Sequence, residues 1–414
     1  MKRPRPRPGS RAAQALVTTA IALGLAPALG GRCAAAIAPG DSVAAVSWRS
    51  AATASLDPAF LGPALGSPHH GRLETVAFGG HAEIRAAQDR VAGIENPDWI
   101  SVPRVSGFVL WRAHPRIELA GEATYDRVTD DLVLERGLVD ARIGDRWYAH
   151  AGIIQPPLGR VNLDHDAPRG DFDGLSYVAT EIIGVPNPQL GLGVHGVAGR
   201  NRGALWIYEL DAVSGYDEGV ITRGPSGTRL PMGRDNFGTG GSWALASRIA
   251  VRPADETELG LSGLGGAYNP LQLDGRTVDP SHGIGLLVAD GRGRCLGFRL
   301  STEVATAWVD VPGGLEGLYA ERQWAASSEV ARTLRQPLLG AWPSTALAAA
   351  VRADAVDYDA QIPGDSKARI SASLNLRQVP WSVFRSGWYY EWRRDRFNNV
   401  KPAAGLVFSF ATYL

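Results

Sequence analysis

Segments of about ten residues in which side-chain character switches at every position dominate this chain from residue 73 to its C-terminus. In Arg369–Arg377 one parity reads Arg369, Ser371, Ser373, Asn375, Arg377 and the other Ile370, Ala372, Leu374, Leu376. In Val383–Arg393, Val383, Arg385, Gly387, Tyr389, Glu391 and Arg393 oppose Phe384, Ser386, Trp388, Tyr390 and Trp392. Arg299, Ser301 and Glu303 oppose Phe298, Leu300, Val304 and Trp308 in the same way, and the chain ends on Leu406, Phe408, Phe410 against Val407, Ser409, Ala411. A period of two belongs to strands with two unlike faces.

A soluble sandwich alternates as well, so segment length and the spacing between segments decide the class. Sixteen segments can be drawn: 73–86, 101–112, 116–126, 131–142, 146–155, 189–198, 203–213, 238–252, 257–268, 282–290, 295–309, 322–332, 344–356, 367–377, 380–393 and 403–414. They approach the roughly 9–11 residues that a tilted strand needs to cross a bilayer. Connections after even-numbered segments are tight: His114-Pro115, Gly144-Asp145, Gly199–Arg202, Pro253–Glu256 and Gly291–Arg294. Those after the first, fifth, seventh, ninth and eleventh are long. Two depart from the rule, Tyr125–Asp131 being short and Arg332–Ser344 long. Short turns on one side and long loops on the other mark a transmembrane, antiparallel up-and-down β-barrel, which pairs every backbone group without an exposed edge. The expected fold is therefore all-β, about sixteen strands, with a polar lumen, an apolar lipid face, and aromatics such as Trp388, Tyr390 and Trp392 at the interface.

The N-terminus reads differently. Lys2, Arg3, Arg5, Arg7 and Arg11 precede an apolar run from Ala12 to Leu29, and small residues follow to Ala38. That is the layout of a secretory signal peptide over 1–38, with a membrane anchor as the alternative. Arg32 before Cys33 stands where a lipoprotein signal wants a small residue. Residues 39–72, rich in Ala, Pro, Gly and Ser, are read as a flexible periplasmic lead-in, and 73–414 as the barrel. The whole chain is neutral, but without 1–38 it holds 36 basic and 42 acidic groups, a net of −6, and one cysteine, Cys295. No intramolecular disulfide is then available, and an acidic protein is a poor nucleic-acid binder.

The longest connection, 155–188, follows the fifth segment and is the third external loop if the chain starts in the periplasm. It carries Arg160, Asp164, His165, Asp166, Arg169, Asp171, Asp173 and Glu181, a net of −3 from two arginines and five acids. Folded inward, it would narrow the barrel and set carboxylates against wall residues Arg299, Glu303, Arg352, Asp354, Arg369, Arg377 and Arg385. Opposed charges across a narrow pore screen solutes by charge and dipole. The carboxylates would repel anions and admit cations, while the arginines orient solutes and tie down the loop. Arg352 and Asp354 share a face and could simply neutralise one another. Asp164-His165-Asp166 lacks the convergent partner a metal site needs, His69-His70 lies in the lead-in, and Gly191-Leu192-Gly193 and Gly238–Gly241 sit inside strand patterns where glycine permits close neighbours. No cofactor motif is present.

The stretch Gly152-Ile153-Ile154-Gln155-Pro156-Pro157-Leu158-Gly159-Arg160, with Asn162 and His165-Asp166-Ala167-Pro168, resembles the same region of bacterial outer-membrane porins of the phosphate-selective O/P type. Trp206–Leu210 with Ser214-Gly215, and Glu258–Gly263, are similar to later strands of that group. The resemblance implies a sixteen-stranded outer-membrane barrel, often a homotrimer, that lies in lipid and passes small hydrophilic solutes passively. The chain departs from the pattern in having only three lysines, Lys2, Lys367 and Lys401, and in ending on Leu414 rather than phenylalanine. Two other classes fit a barrel: an outer-membrane enzyme of lipase or protease type, with His165 as base and Ser176 nearby, and a non-conducting structural barrel.

Overall fold

A computed structural model describes residues 71–414 apart from short breaks at 74–75, 97–100, 128–129, 200–202, 223–226, 235–242, 255, 269–271, 274–275, 278–280 and 341. The expected signal peptide, and the lead-in up to residue 70, lie outside the described residues. Sixteen long strands follow one another: β1 (Val76–Val91), β2 (Ser101–His114), β3 (Ile117–Asp126), β4 (Asp131–Arg142), β5 (Trp147–Ile154), β6 (Gln189–Ala198), β7 (Leu205–Val213) and β8 (Ala244–Ala254). They continue as β9 (Thr257–Ala267), β10 (Gly283–Cys295), β11 (Phe298–Val309), β12 (Arg322–Arg335), β13 (Ala346–Asp357), β14 (Ser366–Arg377), β15 (Ser382–Arg394) and β16 (Val400–Tyr413). Each of the sixteen sequence segments overlaps one of them, with bounds shifted by up to five residues apart from the eighth, whose 238–242, including Gly238–Gly241, lie outside the described residues.

Every strand pairs antiparallel with its sequence neighbours, and β16 returns to β1 through the register His81↔Tyr413 to Val91↔Ala403. The sheet is thus a closed barrel with no free edge among its long strands, as a bilayer requires. Two three-residue strands, Gly71–Leu73 and Ile94–Asn96, add to the rim beside β1. No described helix is long and apolar enough to cross a membrane; the crossing elements are strands.

Alternation resolves into two faces as read from the sequence. On β16, Ala403, Val407, Ser409, Ala411 and Tyr413 are buried, whereas Leu406 and Phe408 point outward, 49% and 56% exposed. On β15, Arg385 and Glu391 are buried, with Phe384, Trp388 and Trp392 outside. Exposed tryptophans cluster at strand ends, Trp147 and Trp206 beginning β5 and β7, Trp243 and Trp308 at the far ends of β8 and β11. These positions suit amphipathic rings at the two membrane surfaces.

One turn differs from the reading. Gly291–Arg294 is strand, not connection: Arg292 pairs with Ser301 and Gly293 with Leu300, and the reversal falls at Leu296-Gly297. Those two residues have φ of 53° and 79°, the positive values a two-residue hairpin of matching twist demands. The alternating Gly-Arg run imitates a loop in composition only; its Arg292 reaches Glu258 across the lumen face at 3.1 Å.

The lumen is not uniformly polar. Val178, Ala179, Ile182 and Ile183, on a π-helical turn (Val178–Ile183) of the 155–188 connection, are fully buried. They share one apolar core with inward residues of the β8–β13 wall, among them Ala246, Leu264, Leu286, Val288, Ala305, Ala307 and Val356. The 214–243 connection contributes Tyr216, Val220, Ile221 and Leu230. On this part of the wall both parities are apolar, while Arg248, Glu258, Asp290 and Glu303 lie farther along the same inner face, so alternation alone does not reveal the apolar patch.

Candidate functional site

The 155–188 connection folds into the barrel and crosses it. Its first helical turn, α1 (Gly159–Leu163), packs on β9 and β10, and its 3₁₀ turn Ala167–Arg169 packs on β15, β16 and β1. In a ring of sixteen the centres of these two contact zones lie six to seven strands apart, so the segment between them spans the lumen. The π-helical turn then returns to β11–β13.

Buried amides fix the root of the loop. Gln155 accepts from the Asn187 backbone N–H at 3.1 Å, and the Asn187 amide donates to the Ile183 carbonyl at 3.0 Å and to the Tyr216 hydroxyl at 3.2 Å. Asn162 donates to the Pro156 carbonyl at 2.7 Å. Burial pushes the Tyr216 hydroxyl up to about 12, so it stays a neutral partner.

Docking of α1 depends on Glu303. Its carboxylate accepts the Arg160 and Val161 N–H groups at 3.0 and 3.4 Å, while the Gly159 N–H donates to Ser262 at 3.1 Å. An acid placed there satisfies N–H groups that a helix start leaves open. Gly159 has φ +69°, and a Cβ on it would stand 2.1 Å from the Glu303 carboxylate, so only glycine allows this approach.

Arginines from β11, β13–β15 and β1 hold the rest. Arg299 and Arg377 both bind Asp171, at 2.5 and 3.1 Å, and Arg85 binds Asp173 at 2.8 Å. Arg377 also donates to the carbonyls of Pro168, Arg169 and Gly170 at 2.8, 3.2 and 3.1 Å. Arg385 takes the Ala167 and Gly170 carbonyls and pairs with Glu83 at 3.1 Å. Two cations therefore complement the open carbonyls where the 3₁₀ turn ends. Arg352 donates to the Gly174 carbonyl at 2.8 Å and lies 4.5 Å over the Phe172 ring; Arg369 lies 4.4 Å over Tyr177. Both also hold Asp354, each at 3.0 Å, so the Arg352–Asp354 pairing exists but is shared.

Within the loop, Asp164 accepts from Arg160 at 3.2 Å and Arg169 at 2.9 Å. Arg169 also donates to the Tyr413 hydroxyl at 2.7 Å, which in turn donates to Asp166 at 2.9 Å. His165 contacts Glu135 of β4 at 2.9 Å. Ser176 accepts the Ala179 N–H at 3.2 Å and so begins the π-helical turn. The structure thus places all seven loop candidates and all seven wall candidates at the contact between loop and wall, in several groups in which acids and arginines touch directly. Residues outside the sequence expectation also join it: Glu83, Arg85, Glu135, Ser262 and Tyr413. Their only sequence signal is an inward parity.

No protein-family profile matches the chain, and no curated protein sequence is significantly similar. Solved structures are similar in shape. The outer membrane channel DcaP of Acinetobacter baumannii aligns with TM-score 0.52 at 11% identity, covering 81% of this chain and 96% of that one. OprB of Pseudomonas putida aligns at 0.51 and 11% identity, over 82% and 94%. OmpF of Salmonella typhi aligns at 0.51 and 8% identity, over 83% and 99%. The fold is that of an outer-membrane barrel. At such identities the likeness extends to the porin-type barrel alone; the O/P-type resemblance rests on the sequence motifs.

Proposed function

We propose that this barrel is an outer-membrane porin, a passive diffusion channel for small hydrophilic solutes whose narrowest point is set by the 155–188 loop. The observation that carries this reading is the loop's path from β9–β10 to β15–β1, across the lumen, fixed at both ends by charged groups. A plug meant only to fill space would need no such ladder of guanidinium groups.

The charge preference we propose is for anions, opposite in sign to the sequence expectation. At the wetter pairs the arginine keeps more of its side chain exposed than the acid, 38% against 7% for Arg299–Asp171 and 37% against 17% for Arg85–Asp173, whereas Arg385–Glu83 is buried on both sides. Solutes would therefore meet the outer edges of guanidinium groups, with the carboxylates spent beneath them. The O/P-type resemblance supports a porin; the wall cations are arginines already engaged by the loop, so phosphate has no dedicated lysine ladder. A homotrimer belongs to the same reading and is checked by the mass of the unheated detergent complex.

Proteoliposome swelling tests the function. Vesicles carrying the folded protein should swell in isotonic solutions of small sugars, with rates that fall steeply as sugar size grows. Folded protein that leaves vesicles as tight as protein-free controls would contradict it.

A further inference from the structure

On β5–β7, apart from the arginine ladder, lies a group of side chains that permeation does not require. His150, Gly193 and Asp211 occupy one row across three strands, His150↔Gly193 and Gly193↔Asp211. Flanking strands of a sheet stand roughly 10 Å apart, so their side chains meet only if the middle position is bare. It is: a Cβ on Gly193 would lie 1.9 Å from the Asp211 carboxylate. His150 Nε2 accordingly reaches Asp211 at 2.8 Å over the glycine. Glu209, two residues before Asp211, shares its face of β7. One ligand atom each from His150, Glu209 and Asp211 comes within 4.8 Å of the others.

The group is short of positive charge. Arg248, the register partner of Glu209, turns instead to Asp290 at 2.8 Å and Glu258 at 3.2 Å. Asp211 is fully buried, and its second carboxylate oxygen meets no N–H or cationic donor among the described residues, only the Glu209 carboxyl. His195, one inward position beyond Gly193 on β6, is also fully buried, with its ring 5.0 Å from that of His150. Its Nε2 contacts Asp140 at 3.1 Å, while its Nδ1 has no partner among the described residues. Two carboxyls meeting with no cation between them, beside a buried imidazole nitrogen left open, are costly unless something binds them.

We propose that these residues form a binding site for a divalent transition-metal ion of borderline character, with His150, Glu209 and Asp211 as ligands. His195, its ring 5.0 Å from that of His150, is the neighbouring imidazole that could complete the set through Nδ1, with Asp140 bonded to its other nitrogen. Imidazole with carboxylate is the donor set of zinc and its neighbours rather than of calcium or magnesium. A carboxylate behind a ligating histidine is the usual support for such a ligand. Tetrahedral bonds of about 2.0–2.2 Å place ligand atoms roughly 3.4 Å apart, so His150, Glu209 and Asp211, already within 4.8 Å of one another, close on an ion by side-chain shifts of about 1 Å.

The test is calorimetric titration of zinc chloride into the full-length protein, folded in detergent and stripped of metal, with His69 and His70 replaced by glutamine to remove that separate pair. One equivalent should bind with micromolar or tighter affinity. Asp211→Asn and His150→Gln should each weaken it at least tenfold, His195→Gln should weaken it less, and His114→Gln, at an exposed turn, should leave it unchanged. Heat-modifiable migration on gels reports folding; if Asp211→Asn fails that check, Glu209→Gln takes its place with the same expectation. Absence of saturable binding overturns the site, as does binding that His150→Gln and Glu209→Gln leave unchanged.

Discussion

Asp171 accepts from guanidinium groups that arrive from strands three apart in the ring, Arg299 on β11 and Arg377 on β14. It ties the crossing segment to two parts of the wall. Removing its charge leaves two arginines facing each other without an acid. Asp171→Asn should therefore loosen the loop by about 2–3 kcal/mol, less than a fully buried pair loses because Arg299 is partly wet. It should also shift the reversal potential further toward anions, and Arg299→Gln should shift it toward cations; salt-gradient recordings measure both. Burial alone would raise the Asp171 carboxyl, but Arg299 and Arg377 outweigh it and hold it below its ordinary value. The folded value being the lower one, this pairing contributes fully above about pH 4 and is lost only as pH falls through the depressed value. Cleavage of the loop by added protease should accordingly stay constant from pH 8 to 5 and rise only below about 4. A rise near pH 6 would mean that another group governs the loop.

At the level of elements, the strands were legible because the bilayer demands period-two faces of a fixed length, and all sixteen follow from that demand. The β10–β11 turn was misplaced because Gly291–Arg294 has loop composition inside a strand, whereas Leu296-Gly297 looks ordinary and is the true reversal. The loop's charged residues were legible as a group, but their partners were not. Glu83, Glu135 and Ser262 are separated from the loop by tens of residues and come to it only through barrel closure. The same limit hid His150, Gly193 and Asp211, which meet only once the register is known. Gly159 is the element-scale test: Gly159→Ala puts a methyl where the Glu303 carboxylate sits. It should unseat α1 from β9–β10, giving larger and noisier conductance steps with the barrel still heat-modifiable. Unaltered steps would show that α1 does not set the passage.

For the molecule as a whole, the dry core inside the barrel changes what holds the loop. Ile182 is fully buried in that core, so Ile182→Ala should cost about 2–4 kcal/mol through the cavity it leaves. That loss should appear as a lower urea midpoint for loop protection from protease, ahead of barrel unfolding. The barrel is a closed sheet with an apolar outer face, an apolar buttress on the β8–β13 wall, and arginine edges along β11, β13–β15 and β1. The central claim, that solutes pass beside the crossing loop, is tested most directly by planar-bilayer recording of the purified, folded protein. Discrete, stepwise conductance with a reversal potential on the anion side is the predicted result. Protein that is folded and heat-modifiable yet inserts without any conductance step would contradict it.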